Sequence, residues 1–167
     1  MALSSTQIHV LEQAILSYGF PLEYYDFKLA PTANPQVASS ILHLESIIYT
    51  ALASGVPADV EQGLANIIYW GSNGAGYRQH RFSNFLKKIK PLHPYGGFCS
   101  IQRAGTASLL EIKKLGYPGY SGISFVSKVL MFLDPQNFCV LDLQISKLGV
   151  PRRSIGRALD QLKVNPT

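Results

Sequence analysis

Asp142 and Lys128 are the residues whose types and surroundings could do covalent chemistry. Asp142 ends the run Val140-Leu141-Asp142, where it could cap a helix predicted from Leu143 to Leu148. A carboxylate held there beside an apolar helix can stabilise a developing cation or activate a nucleophile. Lys128 is the only charge between Gly116 and Leu133. Buried near Asp142, its amine would favour the neutral form and become a nucleophile able to form a Schiff base. The plainer alternatives are a helix cap for Asp142 and, for Lys128, a side chain snorkelling out of a half-buried helix.

The elements that must position these two residues lie within Gly116 to Leu148. Three glycines and a proline fall between Gly116 and Gly122, which suits a tight connection with positive φ and closely approached backbone. Ser124 is the predicted N-cap of a helix over Phe125 to Leu133, and Asp134-Pro135 is a natural stop. The predicted order is therefore hairpin, helix, loop, aspartate.

That order resembles the core of the helix-hairpin-helix (HhH-GPD) DNA glycosylase superfamily, whose signature is a Pro-Gly-apolar-Gly hairpin, a helix and then an aspartate. Phe138-Cys139-Val140-Leu141-Asp142-Leu143-Gln144-Ile145 is similar to the aspartate segment of the 8-oxoguanine and adenine glycosylase branch. Either Pro118-Gly119 or Ser121-Gly122 can stand where the family has Pro-Gly. Bifunctional members carry a lysine at the start of the second hairpin helix, where the two registers place Ile123 or Val126; Lys128 follows a few residues later. The resemblance implies a compact all-α fold. It also implies a phosphate grip by Gly119, Tyr120, Ser121 and Gly122, helped by the Ser121 and Ser124 hydroxyls, with a monovalent cation at the hairpin carbonyls. Asp142 would assist cleavage of an N-glycosidic bond, and Lys128 would supply an AP-lyase nucleophile.

Composition sets outer bounds. The 167 residues suffice for one core, 47% of them are apolar and 15% charged, so long disorder is excluded. Fifteen Lys and Arg against ten Asp and Glu give +5, which favours an acidic partner such as nucleic acid. Cys99 and Cys139, forty residues apart, cannot supply the four thiolates of an iron–sulfur cluster and are expected to be buried free thiols. No apolar run approaches the roughly 18 residues of a membrane span, and no basic leader with an apolar core is evident. A cytoplasmic location without a membrane partner is the expectation.

Along the chain, apolar spacing predicts helices over Gln7 to Tyr18, Pro35 to Ser54 and Pro57 to Trp70. The aromatic stretch Phe20 to Thr32 reads as a packed extended arm. Gly71 to Gly76 is a glycine loop feeding a basic helix that contains Arg78 and Arg81, a combination able to seat an anion. Pro91 to Gly97 reads as a turn-rich connection that could join two lobes of a single 1–167 domain. Thr106 to Leu115 is the predicted first arm of the hairpin, within a helix-hairpin-helix core spanning 106–148. Pro151 to Leu162 would form a last basic helix with Arg152, Arg153 and Arg157. For an extruded base, Tyr69, Trp70, Tyr77 and Phe132 are candidate pocket walls, with His80 or Gln79 to read an edge.

Two functions of different classes fit these residues. One is a base-excision glycosylase acting on damaged duplex DNA, and the other a helix-hairpin-helix protein that binds DNA without chemistry. A helical interaction protein with no nucleic-acid role is a third.

Overall fold

The computed structural model describes residues 5–6, 8–9, 13, 19, 21–29, 34–73, 76–89, 95–103, 105 and 107–141. They are mostly helical, with one two-stranded sheet. The predicted helix from Pro151 to Leu162 and the one from Leu143 to Leu148 lie outside them, as does most of Gln7 to Tyr18, of which Ile8, His9 and Gln13 are helical.

The first described elements are the strands β1 (Glu23–Tyr24) and β2 (Gln36–Val37), antiparallel with Glu23 opposite Val37. Helices α1 (Ile41–Ala53), α2 (Pro57–Gly71) and α3 (Arg78–Lys88) follow. Then come α4 (Tyr95–Arg103), α5 (Leu109–Lys114) and α6 (Ile123–Leu133). Among the described residues no helix is long and apolar enough to cross a membrane.

Helix α2 is the axis. Pro57 opens it in the first turn, where a missing N–H costs nothing. Seven consecutive residues from Gly63 to Tyr69 are buried, a pattern that requires neighbours on every side. Those neighbours are α1, α3, α4, α6 and β1. Gly63 lets α1 come close, because a Cβ there would stand 2.9 Å from Leu52 Cδ2. The core is one continuous cluster running from Ala38 through Leu44, Ile67, Phe85 and Phe98 to Phe132.

The arm is packed, as its aromatic content predicts. Tyr25 stacks on Phe82 at 4.3 Å between ring centroids and meets Tyr69 edge-on at 4.9 Å. Its backbone is latched by Asn66 of α2, whose side-chain amide donates to Tyr25 O at 2.8 Å and accepts from Tyr25 N at 2.7 Å. Gln62 accepts from Phe27 N at 2.8 Å. Beyond β1, two side chains of α2 thus take over from the strand partner that β2 provides.

Several expectations are corrected. The helix predicted from Pro35 starts instead at Ile41, because Gln36–Val37 pairs with the arm, and Ser40 supplies the cap by accepting from His43 N at 3.1 Å. Val37, expected in the core, is 70% exposed. The stretch from Tyr95 to Gly97, read as a connection, opens α4, which buries Tyr95, Phe98 and Cys99 on one face. Pro91 to Pro94 lie outside the described residues. Helix α5 is shorter than Thr106 to Leu115, since Ser108 caps it by accepting from Glu111 N at 3.2 Å. Cys139 is an exposed free thiol rather than a buried one, while Cys99 is buried as expected.

Replacing Asn66 by Leu would leave the N–H and C=O of Tyr25 without partners in a part-buried place. A loss of about 2–6 kcal/mol follows at roughly 1–3 kcal/mol per orphaned group. It should appear as a lower denaturant midpoint at unchanged slope.

Candidate functional site: the hairpin and the head of the following helix

Between α5 and α6 the chain turns on Tyr117-Pro118-Gly119-Tyr120. Tyr120 N–H donates to Tyr117 O at 3.0 Å, and Gly119 has φ of +84°. Proline at the second position and a left-handed glycine at the third are the signature of a type II turn. Of the two registers left open by the sequence, the turn falls on Pro118-Gly119. Gly119 is needed for contact as well as for φ, because a Cβ there would lie 2.9 Å from Ile68 Cδ1 of α2.

Tyr120 seats the hairpin. Its ring is 1% exposed and meets Phe85, Tyr117 and Phe125 edge-on. Its hydroxyl donates to Leu64 O at 2.6 Å, and burial pushes the phenol well above its ordinary pKa, so it stays a donor. Tyr120 was expected in the phosphate grip. It is instead a core residue, with its N–H used inside the turn. Gly119, Ser121 and Gly122 remain exposed, and their N–H groups meet no acceptor among the described residues.

These exposed residues line a groove of about 400 Å³ together with Arg81, Asn84 and Lys88 of α3, and Ile68 and Phe125 are also in its lining. The Arg81 guanidinium carbon lies 5.9 Å from the centre of the Phe125 ring. Unpartnered backbone N–H groups and two cations lining one groove are suited to an anion. Lys88 and Asn84 were not singled out in the sequence; their spacing from Arg81, seven and three residues, puts them on one helical face and was the signal available.

Helix α6 begins at Ile123, two residues before the expected start at Phe125, with Gly122 as its N-cap and no side-chain cap. Ser124 therefore lies inside the first turn, and its hydroxyl serves another purpose. It accepts from Lys128 Nζ at 2.8 Å, while the Ser124 carbonyl accepts from the same nitrogen at 3.1 Å. Lys128 is 6% exposed, so the snorkelling alternative does not hold. Its amine lies 4.9 Å from the centre of the Phe125 ring. Its stem fits against Gly71, where a Cβ would come within 2.9 Å of Lys128 Cε.

After α6 the chain turns back. Phe138 N–H donates to Asp134 O at 3.0 Å and Asn137 Nδ2 to Asp134 Oδ2 at 2.8 Å, closing the loop. Leu141 N–H then donates to Ser127 Oγ at 2.9 Å. Ser127 is buried and precedes Lys128, so the irregular segment ending at Leu141 is bonded to α6 next to the lysine. Asp142 itself lies outside the described residues, as do Gly74 and Ala75 of the glycine loop. Ser127 was missed from the sequence, although a hydroxyl within the apolar run Phe125 to Leu133 was a signal.

The remaining candidates do not gather at this groove. Arg78 pairs with the Glu23 carboxylate, donates to Tyr69 O at 3.1 Å and covers the Tyr69 ring at 3.5 Å, so it fastens α3 to the arm. Trp70 and Phe132 meet edge-on at 5.4 Å, and Phe132 is 2% exposed within the core. Tyr77 is 64% exposed and His80 faces solvent, bonded to Asn84 Nδ2 at 2.8 Å. None of these four lines the hairpin groove. Among the described residues no group of His, Cys, Asp and Glu is arranged to hold a metal ion.

Comparison of the chain with protein-family models, with curated proteins and with solved structures finds no match.

Gly119→Ala should destabilise the protein by about 1–3 kcal/mol, the usual cost of a side chain held at positive φ, increased by the contact with Ile68. Thermal unfolding of the variant against Gly96→Ala, whose Cβ would meet open space, measures it.

Proposed function

We propose that this protein is a DNA glycosylase-like enzyme that grips phosphates at the hairpin and cleaves the N-glycosidic bond of a damaged base. Asp142 assists the cleavage and the Lys128 amine acts as lyase nucleophile. The observation that carries the reading is the bond from Leu141 N–H to Ser127 Oγ at 2.9 Å. It ties the backbone one residue before Asp142 to the helix position one residue before a buried lysine. The described backbone leading toward Asp142 is thus held to the helix that carries Lys128.

The chemistry asks for that pairing. Loss of a base develops positive charge on the sugar, which a nearby carboxylate stabilises. A neutral lysine amine can form the new bond to C1′ as the departing base takes the glycosidic electron pair and a proton. Ring opening then leaves an iminium, and loss of a C2′ proton expels the 3′ phosphate, nicking the strand. The groove supplies positioning: N–H groups of Gly119, Ser121 and Gly122 with Arg81 and Lys88 of the same lining would hold phosphates without reading sequence. A monovalent cation at the hairpin carbonyls would only offset phosphate charge, and no step runs through it.

A second reading, DNA binding without chemistry, is favoured by one feature: Lys128 Nζ donates twice to Ser124 of its own helix, as a purely structural lysine would. A panel of duplexes carrying oxidised, alkylated or deaminated bases separates the two. Product that disappears in Asp142→Asn, with a borohydride-trapped adduct that disappears in Lys128→Gln, is the expected result. Binding without product leaves the second reading, and neither binding nor product discards both. Affinity should fall as salt rises, and Arg81→Ala and Lys88→Ala should each lower the salt slope by about one.

A further inference from the structure

The first turn of α6 contains a hydrogen-bond node. The Ser124 carbonyl accepts from Lys128 Nζ and from Ser127 Oγ, each at 3.1 Å. The Ser124 hydroxyl takes a second bond from Lys128 Nζ at 2.8 Å, and Ser127 Oγ in turn accepts from Leu141 N–H. One residue is therefore bonded to the amine directly and, through one hydroxyl, to the backbone that precedes Asp142.

A lysine side chain has four rotatable bonds and ordinarily keeps much of their freedom. Here the freedom is removed at three heights. Gly71 forms a notch for the stem, with the site of its absent Cβ 2.9 Å from Cε and 3.0 Å from Cδ; the Phe125 ring flanks the amine at 4.9 Å; and Ser124 takes two N–H directions. Ser124 thus takes two of the ammonium's three donors and fixes how the amine is turned about its last bond. The backbone carbonyl would be present with any residue at 124, whereas the hydroxyl requires serine or threonine.

We infer that Ser124 is a positioning residue that aims the Lys128 amine, a role distinct from touching phosphate. The inference rests on the lyase role proposed for Lys128. Its value is that aim, not proximity alone, sets the rate of an attack in which atoms must line up within a few tenths of an ångström.

The test uses the full chain with lysine labelled with 13C at Cε, the Lys128 signal being the one lost in Lys128→Gln. In the wild type the two Lys128 Hε protons should be inequivalent, as for a locked side chain. In Ser124→Ala they should merge, and the single-turnover rate of borohydride trapping on a damaged duplex should fall on the order of 10- to 100-fold at unchanged duplex affinity. Ser124→Thr should restore both. Inequivalent protons in Ser124→Ala, or trapping at the wild-type rate, would overturn the inference. A wild type that shows Ser124-dependent inequivalence yet traps nothing supports the positioning and overturns the lyase reading, so the two failures are told apart.

Discussion

Burial of α2 on every side is the constraint from which the site derives. A helix with seven successive buried residues must be surrounded, and α1, α3, α4, α6 and the arm each take a share. The hairpin is placed by the same helix, through Ile68 under Gly119 and Leu64 O under the Tyr120 hydroxyl. At its C-terminal end α2 stops on Gly71, and the missing side chain is what makes room for the stem of Lys128. Hairpin and amine are thus referred to one rigid element.

A second constraint is polar. Several part-buried groups are satisfied by side chains: Asn66 and Gln62 for the arm, Ser127 for Leu141, Ser124 for Lys128. An unmet buried group costs more than a met one gains, so each pairing limits where its segment can lie. Four such pairings define the path of the chain where regular secondary structure does not.

Local chemistry made part of this legible. Pro118-Gly119 announced a turn, and apolar spacing with Pro57 in front and Gly71 behind announced α2. The helix Tyr95–Arg103 was hidden because Gly96 and Gly97, behind Pro91 and Pro94, argue against helix locally; burial of Tyr95, Phe98 and Cys99 decides otherwise. Asn34-Pro35 looked like a helix start because the arm that pairs with β2 is remote in sequence. Lys128 was legible as a lone charge, but its partner was not: a serine one turn earlier reads as a cap until the helix is seen to start before it. Ser127 stood out only as a hydroxyl in an apolar run, and its partner was hidden because the amide it answers lies fourteen residues on.

The type II turn has a consequence for energetics. Pro118 fixes its own φ, Gly119 is held by Ile68, and Tyr120 is anchored in the core, so the three residues have little conformational entropy left to surrender. An anion arriving at Gly119, Ser121 and Gly122 meets donors already in place. Its capture would be governed by encounter and desolvation, with no ordering step to slow it or to add a large heat-capacity change.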